Sequence, residues 1–323
     1  MLDTRQKRRH LWIEKTRIES RATSHEIMQT KQQIRQLLAS AGISPNKRLG
    51  QHFLIDLNLM RLLIDSADIK NKDVVLEVGC GTGSLTEALA EKAGYCLAVE
   101  LDESIAKIAK SQLAETNNVE IISTDILDTK NTISRTVIGA LEHCRKKYTG
   151  WLLLVANLPY SVACPVMLNL VAGPIRADSM FVTVQKQVAD RMTASPGSGD
   201  YGTLSILLGA TGDVKMIRVL KPTVFWPQPQ VDSAMVSFAR KEDKVSCIKS
   251  MELFSEVINL FMGHRRKMLK ACTKFTQGRL ARIDDWPDIF DQCSIEPHSR
   301  PEQLWPEDYI AIANLCCRYL DAG

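Results

Sequence analysis

From about residue 46 onward, short continuous runs of apolar residues alternate with helix-patterned segments. VVLEV (74–78), CLAVEL (96–101), VEIIST (119–124), WLLLVA (151–156) and MFVTVQ (180–185) are five such runs. Each is apolar at consecutive rather than alternate positions. That pattern predicts strands buried on both faces, hence a mostly parallel α/β sheet. Segments 203–220 and 233–239 are also strand-like and are expected to form an antiparallel edge hairpin with a long connection, bringing the sheet to seven strands. Beyond about 243 the strand pattern ceases. FSEVINLFMGHRRKMLKACTKF and PEDYIAIANLCCRYL have helical spacing. Upstream, Thr23-x-x-Glu26 has the form of a capping box, followed by Ile27, Ile34, Leu37, Leu38 and Ala41 at helical spacing, with Gly42 as C-cap and Pro45 beyond. The expected divisions are a helical extension (1–45), the α/β domain (46–242) and a helical tail (243–323). No internal repeat is visible.

Composition narrows the class. The chain has 323 residues, 45% of them hydrophobic, enough for one large domain and a smaller one. No apolar run approaches the ~20 residues of a membrane helix. The N-terminus, MLDTRQKRRH, lacks the apolar core of a secretory signal, and Asp3, Glu14, Glu19 and Glu26 argue against a mitochondrial transit peptide. Nine cysteines occur without a CxxC pair or zinc-like His spacing, so reduced thiols, a cytoplasmic location and no metal are expected. Charge is uneven. Residues 1–48 hold 11 Lys/Arg against 4 Asp/Glu, a net of +7, whereas the remainder holds 30 against 33. A second cluster at 263–282 has seven Lys/Arg and no acid. Two basic segments on a near-neutral body suit a polyanionic partner.

The first strand ends Glu77-Val78-Gly79-Cys80-Gly81-Thr82-Gly83, and a helical segment follows. Glycines placed there let the backbone approach a ligand closely. A dinucleotide fingerprint needs Gly or Ala at position 84, which is Ser84; the spacing is E-x-G-x-G-x-G. That form resembles motif I of the Rossmann-like methyltransferases that use S-adenosyl-L-methionine (SAM). Glu100 ends the second strand, in the position that contacts ribose hydroxyls, and Asp125 ends the third, where a carboxylate can accept from an adenine amino group.

The fourth strand stops abruptly at Asn157-Leu158-Pro159-Tyr160, because proline cannot donate to a sheet ladder. The tetrapeptide resembles the (D/N)PP(Y/F) motif of methyltransferases acting on exocyclic amino groups, in the NLPY variant of RNA adenine-N6 enzymes. The residue types fit that chemistry. The N6 lone pair is delocalised into the ring, so N6 is a poor nucleophile. Asn157 Oδ1 and the Leu158 or Pro159 carbonyl can accept both N6 hydrogens and draw the nitrogen towards tetrahedral geometry. Proline keeps that turn rigid, and Tyr160 offers a face for an unstacked base.

Further segments extend the resemblance over about 45–315. Lys47 to Asp56 (KRLGQHFLID) is similar to the K-x-x-G-Q-(N/H)-F-L-x-D opening of small-subunit rRNA adenine dimethyltransferases, the KsgA type. QKQVADRM (185–192), YGTLS (201–205), FWPQPQVDS (225–233) and His264-Arg265-Arg266-Lys267 continue it in order. The resemblance implies dimethylation of two adjacent adenosines in a hairpin near the 3′ end of small-subunit rRNA, within the pre-ribosomal small subunit, by a monomer without a membrane anchor. It assigns cofactor contacts to His52, Leu54, Gly79, Gly81, Glu100, Asp125 and Asn157. Asn157, Leu158, Pro159, Tyr160 and Phe225 would handle the target base, and Arg265, Arg266, Lys267 and Lys270 the RNA. Two departures stand out: Gly79-Cys80-Gly81 where the family has G-P-G, and Ser161-Val162-Ala163 where it has N-I-S. The alternatives are an erythromycin-resistance type enzyme acting on large-subunit rRNA, whose tail lacks the (Q/H)-R-R-K segment, and a non-catalytic assembly factor, in which the SAM and NLPY positions would be eroded.

Overall fold

The computed structural model describes residues 28–46 and 50–321. Seven strands form the main sheet: β1 (Val74–Val78), β2 (Tyr95–Glu100), β3 (Val119–Ser123), β4 (Leu152–Asn157), β5 (Ser179–Gln185), β6 (Gly212–Leu220) and β7 (Ser233–Arg240), in the order β3-β2-β1-β4-β5-β7-β6. The first five run parallel, and β7 lies antiparallel between β5 and β6. The continuous apolar runs have the expected cause: β1 is buried along its whole length and β4 at every position but Asn157. Strand order reverses between β1 and β4, so their C-terminal ends open a crevice where open α/β sheets bind ligands.

One strand expectation fails in half its length. Residues 203–211 are helical (Thr203–Thr211), and only Gly212–Leu220 forms the strand. TLSILLGAT is apolar at nearly every position and carries no period to separate the two states. It is buried on all sides, packing against helices Ala163–Ala172, Met251–Gly263 and Pro306–Asp321. Its Leu and Ala content suits a helix better than a strand. The tail segment 254–275 is likewise not one helix. Met251–Gly263 stops at a turn over 264–267, closed by Lys267 N–H on the His264 carbonyl at 2.8 Å, before the short helix Leu269–Cys272.

The tail shares the core of the sheet. Phe254, Phe261, Trp286, Ile289 and Tyr309 belong to one buried cluster with Leu76, Leu154, Val236 and Phe238. Among the described residues, no helix is long and apolar enough to cross a membrane.

Thr23 and Glu26 lie outside the described residues. The helix that follows, Lys31–Ser40, is capped instead by Thr30, whose hydroxyl accepts from Gln33 N while the Gln33 side chain accepts from Thr30 N. It does not stand free. Ile34 and Leu38 are 1% exposed and pack with Ile105, Phe53 and Trp226. Gln29, 7% exposed, donates from its backbone N to Ser84 Oγ at 2.8 Å and accepts the Thr82 hydroxyl at 2.6 Å. This stretch therefore braces the glycine loop from outside the sheet.

Candidate active site

A cleft, partly open to solvent, lies at the crevice between β1 and β4. The 50–56 segment forms one wall. Phe53–Leu54 pairs antiparallel with Phe225–Trp226, and Asp56 caps helix Leu57–Ser66 by accepting from Asn58 N and Leu59 N. The β1 glycine loop forms the second wall. Gly79 and Gly81 have φ of +79° and +56°, and a Cβ on either would stand 2.8 Å from Pro159 Cγ or Phe53 Cε1. Bare backbone is required at both for the loop to touch its neighbours.

Glu100, at the end of β2, is 7% exposed. Its Oε2 accepts from Gly81 N at 2.9 Å and its Oε1 from Asp102 N at 3.0 Å. Burial raises its pKa above the usual carboxylate range, and those backbone donors oppose the rise. Asp125 is exposed at the cleft rim; its Oδ1 accepts from Leu127 N at 2.9 Å, leaving Oδ2 without a partner among the described residues. Among the described residues, the lining includes Glu77, Glu100 and Asp125 but no lysine or arginine. That charge pattern fits a cationic ligand such as the SAM sulfonium better than a pyrophosphate.

Glu77 stands in the sequence only as the first letter of the loop motif. It is 2% exposed and accepts the Thr86 hydroxyl at 2.6 Å. Burial pushes its pKa up to about 8; the Thr86 hydroxyl opposes this and the nearby Glu100 adds to it. A raised carboxyl pKa favours the folded state at low pH. The contribution is complete below the unfolded value of about 4.5, declines by roughly 1.4 kcal/mol per pH unit above it, and is gone by about 8. Glu77→Gln should therefore flatten the loss of stability between pH 5 and 8, as read by denaturant unfolding at each pH.

The β4 turn is held from three sides. Asn157 Nδ2 donates to the His52 carbonyl at 2.7 Å, which orients the amide because a carbonyl can only accept. Asn157 Oδ1 then faces Thr183 and accepts its hydroxyl. Leu158 N donates to the Thr183 carbonyl at 3.1 Å. The Pro159 carbonyl is occupied by Val162 N at 3.1 Å, whereas the Leu158 carbonyl has no donor among the described residues. Of the two turn carbonyls, Leu158 is thus the open one. The Tyr160 hydroxyl is fixed by the buried Ser233 at 2.7 Å, and its ring lies 5.6 Å from that of His52. His52 Nδ1 donates to the Pro227 carbonyl at 2.7 Å, which orients the ring because a carbonyl can only accept.

His52, Leu54, Gly79, Gly81, Glu100, Asp125, Asn157, Leu158, Pro159 and Tyr160 all line the cleft. Phe225, which the resemblance assigns to base stacking, is not among them. Its ring is 1% exposed and packs in a core cluster with Leu54, Leu59, Val155 and Met235. Its pairing with Leu54 turns it into the sheet layer. Truncating such a ring costs about 3–5 kcal/mol of stability. Arg265 is half-buried and already has partners within the protein. It pairs with Glu302 at 3.0 Å and donates to the Gly199 carbonyl at 3.3 Å. Arg266, Lys267 and Lys270 are exposed. Lys267 sits 5.3 Å over the Phe275 ring, and Lys270 contacts His298 at 2.6 Å. Lys47 and Arg48 lie outside the described residues.

Thr183, Ser233 and Gln29 were missed by sequence reasoning. For Thr183 a signal existed: a lone hydroxyl in the apolar run MFVTVQ must find a partner when buried. No comparable pattern marks Gln29.

Comparison with known proteins agrees with this geometry. The ribosomal RNA adenine dimethylase family matches residues 42–302. The chain is 37% identical over 295 residues to the ribosomal RNA small subunit methyltransferase A of Pelotomaculum thermopropionicum, covering 90% of this chain and 96% of the relative. It is 34% identical over 282 residues to that of Pediococcus pentosaceus, covering 87% and 92%. Among solved structures, a dimethyladenosine transferase from Plasmodium falciparum superposes with a TM-score of 0.63 at 20% identity, covering 81% of this chain and 96% of that one. The 23S rRNA methyltransferase ErmE gives 0.55 at 19%, covering 83% and 99%. Both structural likenesses speak for the Rossmann-like methyltransferase fold.

Proposed function

Because the chain belongs to the ribosomal RNA adenine dimethylase family, we propose that its cleft holds SAM against the β1 loop and an unstacked adenine against the β4 turn. The enzyme is a SAM-dependent rRNA adenine dimethyltransferase. What supports the joint site is contact: Pro159 leans on Gly79 so closely that a Cβ there would lie 2.8 Å from Pro159 Cγ. The cofactor loop and the base-handling turn therefore border one space.

When bound, SAM supplies an electrophilic methyl group. Glu100 accepts from the ribose hydroxyls with the lone pairs left over from Gly81 and Asp102, and Asp125 Oδ2 takes the adenine amino group. On the target side, Asn157 Oδ1 and the Leu158 carbonyl accept the two N6 hydrogens and aim the nitrogen lone pair along the transfer line. Tyr160, its hydroxyl tied to Ser233, presents a fixed face for the base. No strong base is needed, since the methylated amine cation is acidic. Nucleoside analysis of the product should give N6,N6-dimethyladenosine; a ring-nitrogen or carbon methylation product would overturn the exocyclic-amine assignment.

The proposed target is the pair of adjacent adenosines in the hairpin near the 3′ end of small-subunit rRNA, within the pre-ribosomal small subunit, with a monomeric enzyme acting in the cytoplasm in support of ribosome biogenesis. Phosphate contacts would come from Arg266, Lys267 and Lys270, while Arg265 secures the turn that carries them. Arg266→Glu with Lys267→Glu should weaken small-subunit binding more than about tenfold and lower the salt slope by about 2. SAM affinity, measured by calorimetry, should hold. Loss of SAM binding in that variant would show the turn to be structural.

A further inference from the structure

One nitrogen must be methylated twice at this site, and its hydrogen count changes between the two transfers. Thr183 lies opposite Asn157 in the parallel β4–β5 register and is 1% exposed. Its hydroxyl donates to Asn157 Oδ1, and its carbonyl accepts from Leu158 N at 3.1 Å. One residue thus anchors both halves of the acceptor pair. On the reading that Asn157 accepts an N6 hydrogen, we propose that Thr183 is a positioning residue. It lets the site accept a nitrogen already carrying one methyl, and so helps set the product at two methyls.

In each transfer N6 gains one methyl carbon from SAM, the carbon–sulfur electron pair stays on sulfur, and N6 loses one proton to solvent. Before the first transfer N6 carries two hydrogens, one for Asn157 Oδ1 and one for the Leu158 carbonyl. Before the second it carries one hydrogen and one methyl, so one acceptor must face the methyl. A desolvated acceptor without a donor opposes that step. Asn157 Oδ1 keeps the Thr183 hydroxyl in both states. The Leu158 carbonyl has no other donor among the described residues. The methyl is therefore accommodated beside Asn157, and the remaining hydrogen stays on Leu158.

Thr183→Val preserves the branched shape and removes the donor. Unmodified small subunits are incubated with labelled SAM, sampled over time and digested to nucleosides, giving the rates of both transfers. The second transfer should slow about tenfold relative to the first. N6-monomethyladenosine should accumulate, and Thr183→Ser should restore the wild-type ratio. The ratio is read within one enzyme population, so partial misfolding lowers both rates together and leaves it unchanged. A wild-type ratio in Thr183→Val, with Asn157→Ala inactive, overturns the role of Thr183 and leaves the acceptor assignment standing. Equal monomethyl accumulation in the Ser and Val variants also overturns it, since packing alone would then be responsible. Full activity in Asn157→Ala overturns the acceptor assignment itself.

Discussion

Asn157→Ala should lower single-turnover methyl transfer by about 10²–10³-fold, the usual cost of removing one preorganised polar partner from a reacting centre. The side chain does three things at once. Its amide nitrogen holds the His52 carbonyl, its oxygen takes the buried Thr183 hydroxyl, and on the proposed reading the second lone pair of that oxygen accepts from N6. Truncation removes the acceptor and also leaves a buried hydroxyl and a carbonyl without partners, so the turn loosens as well. SAM affinity should fall by no more than about tenfold, because Gly79, Gly81 and Glu100 are untouched. Transfer and binding measured side by side, by rapid quench and calorimetry, separate the two. Equal losses in both would make Asn157 a cofactor residue and not a base-handling one.

Glu100→Gln should reduce SAM affinity roughly a hundredfold, nearly as much as Glu100→Ala. The amide is almost isosteric, yet it cannot replace the carboxylate. Both carboxylate oxygens already accept from backbone N–H groups, Gly81 on one side and Asp102 on the other. Whichever way the amide turns, its NH₂ meets a backbone N–H, and one loop must move. If the loop that moves is the one bearing Gly81, the cofactor cradle opens; if it is the Asp102 corner, the cap of helix Glu103–Gln112 is disturbed. Wild-type SAM affinity in Glu100→Gln would mean that this carboxylate does not face the cofactor.

The legibility of the fold followed from burial. β1, β2, β4 and β5 were visible because strands covered on both faces are apolar at consecutive positions, and the edge strand β3, which has no fully buried position, was visible from its Val and Ile content; the observed ends of all five fall within a residue of the apolar runs. The same rule failed at 203–211, where a helix buried all round is equally apolar. At the site, the cleft-lining residues were legible wherever a backbone requirement or strand end wrote itself into residue type: Gly79, Gly81, Glu100, Asn157 and Pro159. The packing of Phe225 and the ion pair of Arg265 were not legible, because sequence gives residue type without direction. An aromatic in a proline-braced loop reads the same whether it faces a base or packs under Leu54. An arginine in a basic run reads the same whether it meets phosphate or Glu302. The bracing of the glycine loop by Gln29 left no pattern, since it depends on contacts some 53 and 55 residues apart in the chain.

The most direct measurement uses labelled SAM with small and large ribosomal subunits that lack the modification, followed by mapping of the label. Label is expected in small-subunit RNA alone, on two adjacent adenosines near the 3′ end, recovered as N6,N6-dimethyladenosine and lost in Asn157→Ala. Label in large-subunit RNA, or small-subunit RNA free of dimethyladenosine, would contradict the assignment.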